Sequence, residues 1–111
     1  MPPGELHFQR LPDNPIIVRH MDDRMGDNIN GPSLIKVPDW VQNPLGRYYM
    51  YFGHHRGTYI RLAFADAPEG PYTMVQPGVL DVADSHFVHH IASPDVHLDH
   101  ADKRFVMYYH G

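Results

Sequence analysis

Proline is spread along the whole chain, and its placement constrains the fold more than any other feature of the sequence. There are 11 prolines among 111 residues, about twice the average share of roughly 5%. A proline in a helix interior removes a backbone hydrogen bond and clashes with the preceding turn. Here the prolines lie in turn-forming pairs such as Asn-Pro, Pro-Asp and Gly-Pro, between short apolar runs. The pattern leaves little room for long helices and favours short strands.

Four of these apolar runs predict an antiparallel meander. The run at residues 47–54 is aromatic and apolar on both faces, as in a strand that is buried on two sides. In the next run, Ile60, Leu62 and Phe64 share one face by the two-residue period of a strand. The predicted strands are 33–37, 47–54, 58–65 and 72–75.

Composition narrows the class of partner. The net charge is −4, from 9 Lys and Arg against 13 Asp and Glu, and no basic cluster is present, so we expect no nucleic-acid partner. No apolar stretch approaches the roughly 18 residues of a membrane span, so we expect no membrane partner. The first residues lack the basic start and apolar middle of a signal peptide, which favours a cytoplasmic location. Without cysteine, disulfides and cysteine-ligated metals are excluded.

Two segments recur in the same order. Residues 32–35 (Pro-Ser-Leu-Ile) are echoed by 94–97 (Pro-Asp-Val-His), and the Tyr-rich run 47–53 is echoed by 104–110. Four-stranded units that recur along a chain are typical of propeller blades. Chance similarity between Tyr-rich strands is the alternative, and the matching order favours a repeat.

These motifs resemble those of the five-bladed β-propeller glycoside hydrolases of family 43 and their relatives, which include arabinanases, xylosidases and β-fructosidases. The resemblance covers about residues 31–111, and its other matching segments are Tyr-Tyr-Met-Tyr-Phe at 48–52 and the stretch 62–72 that ends in Gly-Pro-Tyr.

The resemblance implies an all-β fold, with an N-terminal lead-in at residues 1–30, a first four-stranded antiparallel blade at 31–80 and the start of a second, truncated blade at 81–111. It also implies a carbohydrate partner, an oligosaccharide or polysaccharide. We therefore expect an N-terminal fragment of a propeller that acts on or binds glycans. Within the lead-in, residues 21–27 predict a polar loop.

The resemblance further implies three carboxylates around a central pocket: a base in the first blade, an orienting Asp in the second and an acidic Glu in the third. Asp95 matches the orienting residue and is the catalytic candidate, whereas Gly31 stands where the base is expected. The acid belongs to a later blade, since the two glutamates of this chain lie in the lead-in and in a turn. Glycoside hydrolysis needs an acid and an opposing carboxylate. We expect glycosidic bonds to be hydrolysed only by the complete protein, and this chain alone to be inactive.

Ten histidines offer further binding chemistry. On one strand, Asp95, His97 and Asp99 would share a face. Imidazoles and carboxylates can ligate a divalent cation; alternatively, histidines line a sugar pocket with Tyr, Arg and Trp, or have only structural roles. No His-x-x-x-His or Glu-x-x-His spacing indicates a dedicated zinc site. We therefore predict no metal site and no cofactor, with a divalent cation such as calcium as the alternative.

Five residues are the substrate-binding candidates. His54 and His90 lie at a strand end or a blade junction, and Asn30 adjoins the position of the missing base. Arg56 would clamp an acidic sugar or lie solvated in a hairpin. Trp40 is either a stacking platform for a sugar or an anchor for its loop.

Two other functions compete with the glycoside hydrolase. One is a small His-rich metal-binding β domain of the cupin kind, although the usual spaced His-x-His is missing. The other is a non-catalytic, glycan-binding propeller. Because one blade and the start of another cannot close a ring, strand edges and an apolar face would be exposed, and we expect the chain to self-associate.

Overall fold

The computed structural model describes residues 4–26, 29–54 and 57–111, and its regular structure is almost entirely β. A 3-10 turn, Val82–Asp84, is the only helical element in these ranges. The strands are β1 (Ile29–Lys36), β2 (Tyr48–His54), β3 (Tyr59–Ala65), β4 (Thr73–Asp81), β5 (Ala92–Asp99) and β6 (Arg104–His110). Within the same ranges, no helix has the length and apolarity that crossing a bilayer would require.

The strands form two antiparallel sheets. The first sheet has the order β1-β2-β3-β4, and the second is the hairpin β5-β6. The predicted all-β class and four-stranded antiparallel meander are confirmed. Two strands are longer than predicted because each continues through a proline. β1 bends at Gly31 and Pro32, β4 passes Pro77 and Gly78, and a register shift accompanies each bend.

The first sheet buries both of its faces. On one face, Tyr49 and Tyr51 pack with Val96 of the second sheet. On the other face, Met50 and Phe52 pack against the lead-in. The two-sided burial predicted for the run 47–54 is confirmed. Burying a large apolar side chain stabilises a fold by about 1.5–3 kcal/mol, so β2 holds together the layers on either side of it.

The lead-in is part of this core. Ile16 and Ile17 pack on the first sheet, and Met25 is buried between Ala63 and Ala65 of β3 and the rest of that cluster. Residues 21–26 form the predicted loop and Asp27 lies outside the described residues, but Met25 is a buried apolar residue within this loop. The small side chains of the two alanines leave room above the sheet, which the methionine fills.

A buried ion pair fixes the lead-in on β3. Arg61 is 1% exposed, and its Nη1 donates to Asp22 Oδ1 at 3.1 Å while its Nη2 donates to Asp22 Oδ2. Nη2 also lies 3.3 Å from the carbonyl oxygen of Val75. Next to this pair, the Tyr59 hydroxyl donates to the carbonyl oxygen of Arg24 at 2.6 Å. Within the described residues, Arg61 Nε has no acceptor, so Asp22 is the main compensation for a buried charge.

The two sheets meet where side chains are small. A Cβ placed on Gly31 would lie 3.0 Å from Ser93 Cα, and one placed on Gly53 would lie 3.2 Å from Ala92 Cα. The Val96 N–H donates to Ser33 Oγ at 3.0 Å across the same junction. The start of β5 therefore lies directly against β1 and β2.

We expect Asp22→Asn to destabilise the chain by about 3–5 kcal/mol, because it leaves the Arg61 guanidinium buried without a counter-charge. Urea unfolding of this variant and of Asp23→Asn, a neighbouring exposed carboxylate, measures the effect. The hydrogen bonds from Arg61 hold the pKa of Asp22 below its ordinary value. The stability that depends on this shift is complete above the ordinary Asp pKa of about 3.9 and is lost as pH falls through the lowered value, a loss that Asp22→Asn should lack. Equal stability of Asp22→Asn and wild type would contradict this role.

Candidate functional site

The two hairpins β1-β2 and β5-β6 share an unusual backbone feature. Each has a register shift in its first strand, between Asn30 and Ser33 in β1 and between Ala92 and Asp95 in β5. In both shifts a residue with positive φ precedes a proline: φ is 63° at Gly31 and 53° at Ser93. The segments that match in sequence therefore adopt the same local conformation.

Ser93 is the strained member of this pair. A non-glycine residue in a sparsely populated backbone region costs about 1–3 kcal/mol and persists only where its surroundings impose it. Here the close approach of Gly31 and the following Pro94 fix the bend. The bend sets the course of β5, which presents Asp95 on the face turned away from the first sheet.

Three side chains on that outer face form what we call the outer patch: Asp95, His97 and Tyr108. His97 Nε2 lies 2.9 Å from Asp95 Oδ2, and the rings of His97 and Tyr108 meet edge to face at 5.7 Å. Asp95 and Tyr108 are cross-strand partners in the hairpin. The side chains of Asp95 and His97 are 66% and 59% exposed, and Tyr108 is 64% exposed. The patch therefore presents a carboxylate, an imidazole and an aromatic ring to solvent.

The sequence predicts that Asp95 and His97 share one face of a strand. Neither His97 nor Tyr108 is among the predicted site residues. The signal for His97 was the two-residue period itself. Tyr108 joins them through the register of β5 with β6, in which Asp95 pairs with Tyr108 and Asp99 with Arg104. That register is fixed by the hairpin turn.

The chemistry of the outer patch is that of hydrogen bonding and ring contact. The carboxylate accepts hydrogen bonds, the imidazole donates or accepts according to its tautomer, and the phenol does both. The other carboxylate on this face, Asp99, accepts from Arg104 Nε at 2.9 Å and from the Asp102 N–H at 3.1 Å. These bonds lower the pKa of Asp99, the backbone bond from Asp102 most of all. Asp99 is thus ionised and engaged, which does not suit it to act as a proton donor.

The other predicted residues lie apart from the outer patch. Asn30 lines a cleft with Met50 and Phe52, on the face of the first sheet that the lead-in covers. His54 is half-buried on the lead-in side, since a Cβ on Gly26 would lie 2.7 Å from two atoms of its ring. Asp95 instead lies on the outer face of the second sheet and does not line that cleft.

His90 and Trp40 mark opposite ends of the second sheet. The His90 ring lies 6.5 Å from that of His110, the last residue of β6. Trp40 Nε1 donates to His100 Nδ1 at 3.0 Å, and its ring meets Phe105 edge-on at 5.6 Å, near the turn between β5 and β6. These contacts make Trp40 an anchor that ties its loop to the second sheet.

The described residues among these candidates therefore lie apart from one another in this chain, and the binding role of each residue stays a prediction. Arg56 lies outside the described residues. In the same ranges, no group of three or more His, Asp or Glu side chains is placed to hold a metal ion.

Comparison with known proteins gives one informative match. The chain is 38% identical, over 127 aligned residues, to an uncharacterized protein of Acanthamoeba polyphaga mimivirus. The match covers 96% of this chain and 36% of the viral protein, so the chain spans about a third of the length of the relative that it matches. No family model matches the chain, and no solved structure matches it.

Exchanging the residues at the two bends should have opposite effects. Gly31→Ala places a Cβ 3.0 Å from Ser93 Cα in a left-handed conformation, and we expect it to destabilise the chain by about 1–3 kcal/mol. Ser93→Gly, the matched reverse change, removes strain and should not destabilise. Thermal unfolding of the two variants side by side checks this. A Gly31→Ala variant as stable as wild type would show that the junction between the sheets is looser than described.

Proposed function

We propose that this chain is part of a β-propeller protein that resembles the family 43 glycoside hydrolases, and that it contacts carbohydrate through the outer patch. The observation that carries the proposal is the pair of hairpins with the same bend before a proline. In the second hairpin that bend leads into the Pro94-Asp95 motif on which the resemblance depends.

The way in which the sheets stack supports a propeller. In β1, Ser33 and Ile35 lie toward the second sheet, and Ile35 is buried there. In β5, Asp95 takes the place of Ser33 after its proline, yet it is exposed, while the next residue, Val96, packs back on the first sheet. β1 thus turns the residue after its proline toward the second sheet, whereas β5 turns the corresponding residue away from the first sheet. Successive sheets therefore stack in the same direction, as the blades of a ring do, and in such a ring the outer patch contacts carbohydrate only where the following blade leaves it uncovered.

The mimivirus relative is consistent with such a ring. The match occupies 36% of that protein, which leaves length for more sheets of the same kind. In this proposal, hydrolysis of glycosidic bonds belongs to the complete protein, in which a later blade supplies the acid.

The structure offers a physical reason why position 31 has no catalytic base. At position 31, where the resemblance places the base, φ is 63° and a Cβ would approach Ser93 Cα to 3.0 Å. An aspartate there would be strained and crowded, which favours glycine. The acid–base pair that glycosidases use is therefore incomplete in this chain. We accordingly propose that the chain binds glycans through the outer patch and does not itself catalyse hydrolysis.

The outer patch suits a sugar because its groups match those of a pyranose or furanose ring. Adjacent hydroxyls on a sugar can bond to Asp95 and His97, which are already held 2.9 Å apart. The exposed Tyr108 ring offers an apolar surface for the carbon–hydrogen face of the sugar.

Asp95→Asn should weaken glycan binding about tenfold, since a hydrogen bond to a charged acceptor contributes about 1–1.5 kcal/mol more than one to a neutral acceptor. Isothermal titration calorimetry with arabino-, xylo- and fructo-oligosaccharides measures this, with Tyr108→Ala as a second patch variant. Asp39→Asn, in an exposed loop of the first sheet, is the control and should bind like wild type. Failure of all three oligosaccharide classes to bind wild type would overturn the proposed function.

We also propose that the chain self-associates. Leu34 on β1 and Val79 on the edge strand β4 are 45% and 42% exposed. Unpaired edges with exposed apolar side chains recruit further strands. Sedimentation velocity should show oligomers whose share rises with concentration, and Leu34→Lys should raise the monomer share, whereas Val88→Lys in a loop should not. A monodisperse wild-type monomer at high concentration would contradict this expectation.

A further inference from the structure

A cleft lies between the lead-in and the first sheet, on the opposite side of that sheet from the outer patch. Its volume is about 450 Å³, within the range of about 300–1,000 Å³ that is usual for small-molecule sites. The floor is formed by Ile29, Met50 and Phe52 of the sheet, and the lead-in residues Ile16 and Ile17 form the opposite wall. The proposed glycan contact makes no use of this cleft.

Among the described residues that line the cleft, the charged side chain is a cation. Arg10 lines it, together with Asn14 and Asn30, and no acidic residue among the described residues does so. Within those residues Arg10 has no ion pair, although the structure gives ion pairs for Arg61 and Arg104. A guanidinium beside an apolar wall matches a carboxylate attached to an apolar body.

The walls of the cleft are held in place before any ligand arrives. The ion pair between Arg61 and Asp22 fixes the following part of the lead-in on β3, and Met25 is buried in the same cluster as Ile16 and Ile17. Phe52, on the floor, is itself in the core. A preformed apolar site binds with less loss of conformational entropy than one that must be ordered by its ligand.

We propose that this cleft binds a small apolar monocarboxylate, with the apolar body between the lead-in and β2 and the carboxylate at Arg10. The mostly apolar lining is unsuited to the hydroxyl groups of a sugar, because each hydroxyl buried without a partner costs free energy. The site is therefore independent of the proposed function and takes a different class of ligand.

The test compares octanoate with 1-octanol, which has the same chain length without the charge. Binding of each to the full chain is followed by the methyl NMR signals of Ile16, Ile17, Ile29 and Met50. We expect octanoate to shift these signals and to bind about two- to fivefold more tightly than 1-octanol, the range for an exposed ion pair. Octanoate is kept below its micelle concentration.

Two arginine variants assign the charge preference. Arg10→Gln should bind the acid and the alcohol equally, and Arg10→Lys should restore part of the preference. Arg19→Gln, an exposed arginine of the same lead-in that does not line the cleft, should behave like wild type. Equal binding of both ligands to wild type, shifts that map to other residues, or a preference that survives Arg10→Gln would each overturn the proposal. None of these results depends on whether the outer patch binds glycans.

Discussion

The buried ion pair between Arg61 and Asp22 joins the two parts of the chain whose packing the rest of the structure depends on. Arg61 lies in the middle of β3, on the face that also has Ala63 and Ala65. A buried charge without a partner is strongly destabilising, so this face can be covered only by a segment that brings a carboxylate. Asp22 does so, and Met25, three residues later, then fills the space above the alanines. Compared with a well-packed pair of apolar side chains in the same place, a buried ion pair adds little stability. Its main effect is therefore to fix where the lead-in lies.

With the lead-in on one face, the other face of the first sheet is left for the second sheet. The contact is close because Gly31 and Gly53 meet Ala92 and Ser93 without intervening side chains. This junction also positions the outer patch, since the bend at Ser93 that fits against Gly31 turns Asp95 outward. The layers therefore follow one order: the lead-in, the first sheet and the second sheet. This order places the core on both sides of β2, the cleft beneath the lead-in and the outer patch on the far face of β5.

Much of the local structure could be predicted from the sequence. The runs at 47–54 and 58–65 became β2 and β3 almost residue for residue, because their apolar and aromatic pattern suits a strand that is buried on two sides. The bounds of β1 and β4 differ from the predicted ones, because Gly31-Pro32 and Pro77-Gly78 are bends within strands and not strand ends. Arg61 was the visible sign that the lead-in is not a surface loop, since a lone arginine inside an apolar strand requires a buried acid, but the sequence contains thirteen candidates for that acid.

By itself, the sequence determined the all-β class, the antiparallel meander and the shared face of Asp95 and His97, because each follows from the two-residue period of a strand and from turns a few residues long. Only the tertiary structure decided which faces meet. It buried Met25, used Trp40 as an anchor against Phe105, and placed Asp95 on the outer face of the second sheet, apart from the cleft that Asn30 lines. The physical reason is that the period of a strand fixes which residues share a face but not which partner covers it. That choice is made by long-range packing, through the fit of small residues at the junction of the sheets and the pairing of one buried charge.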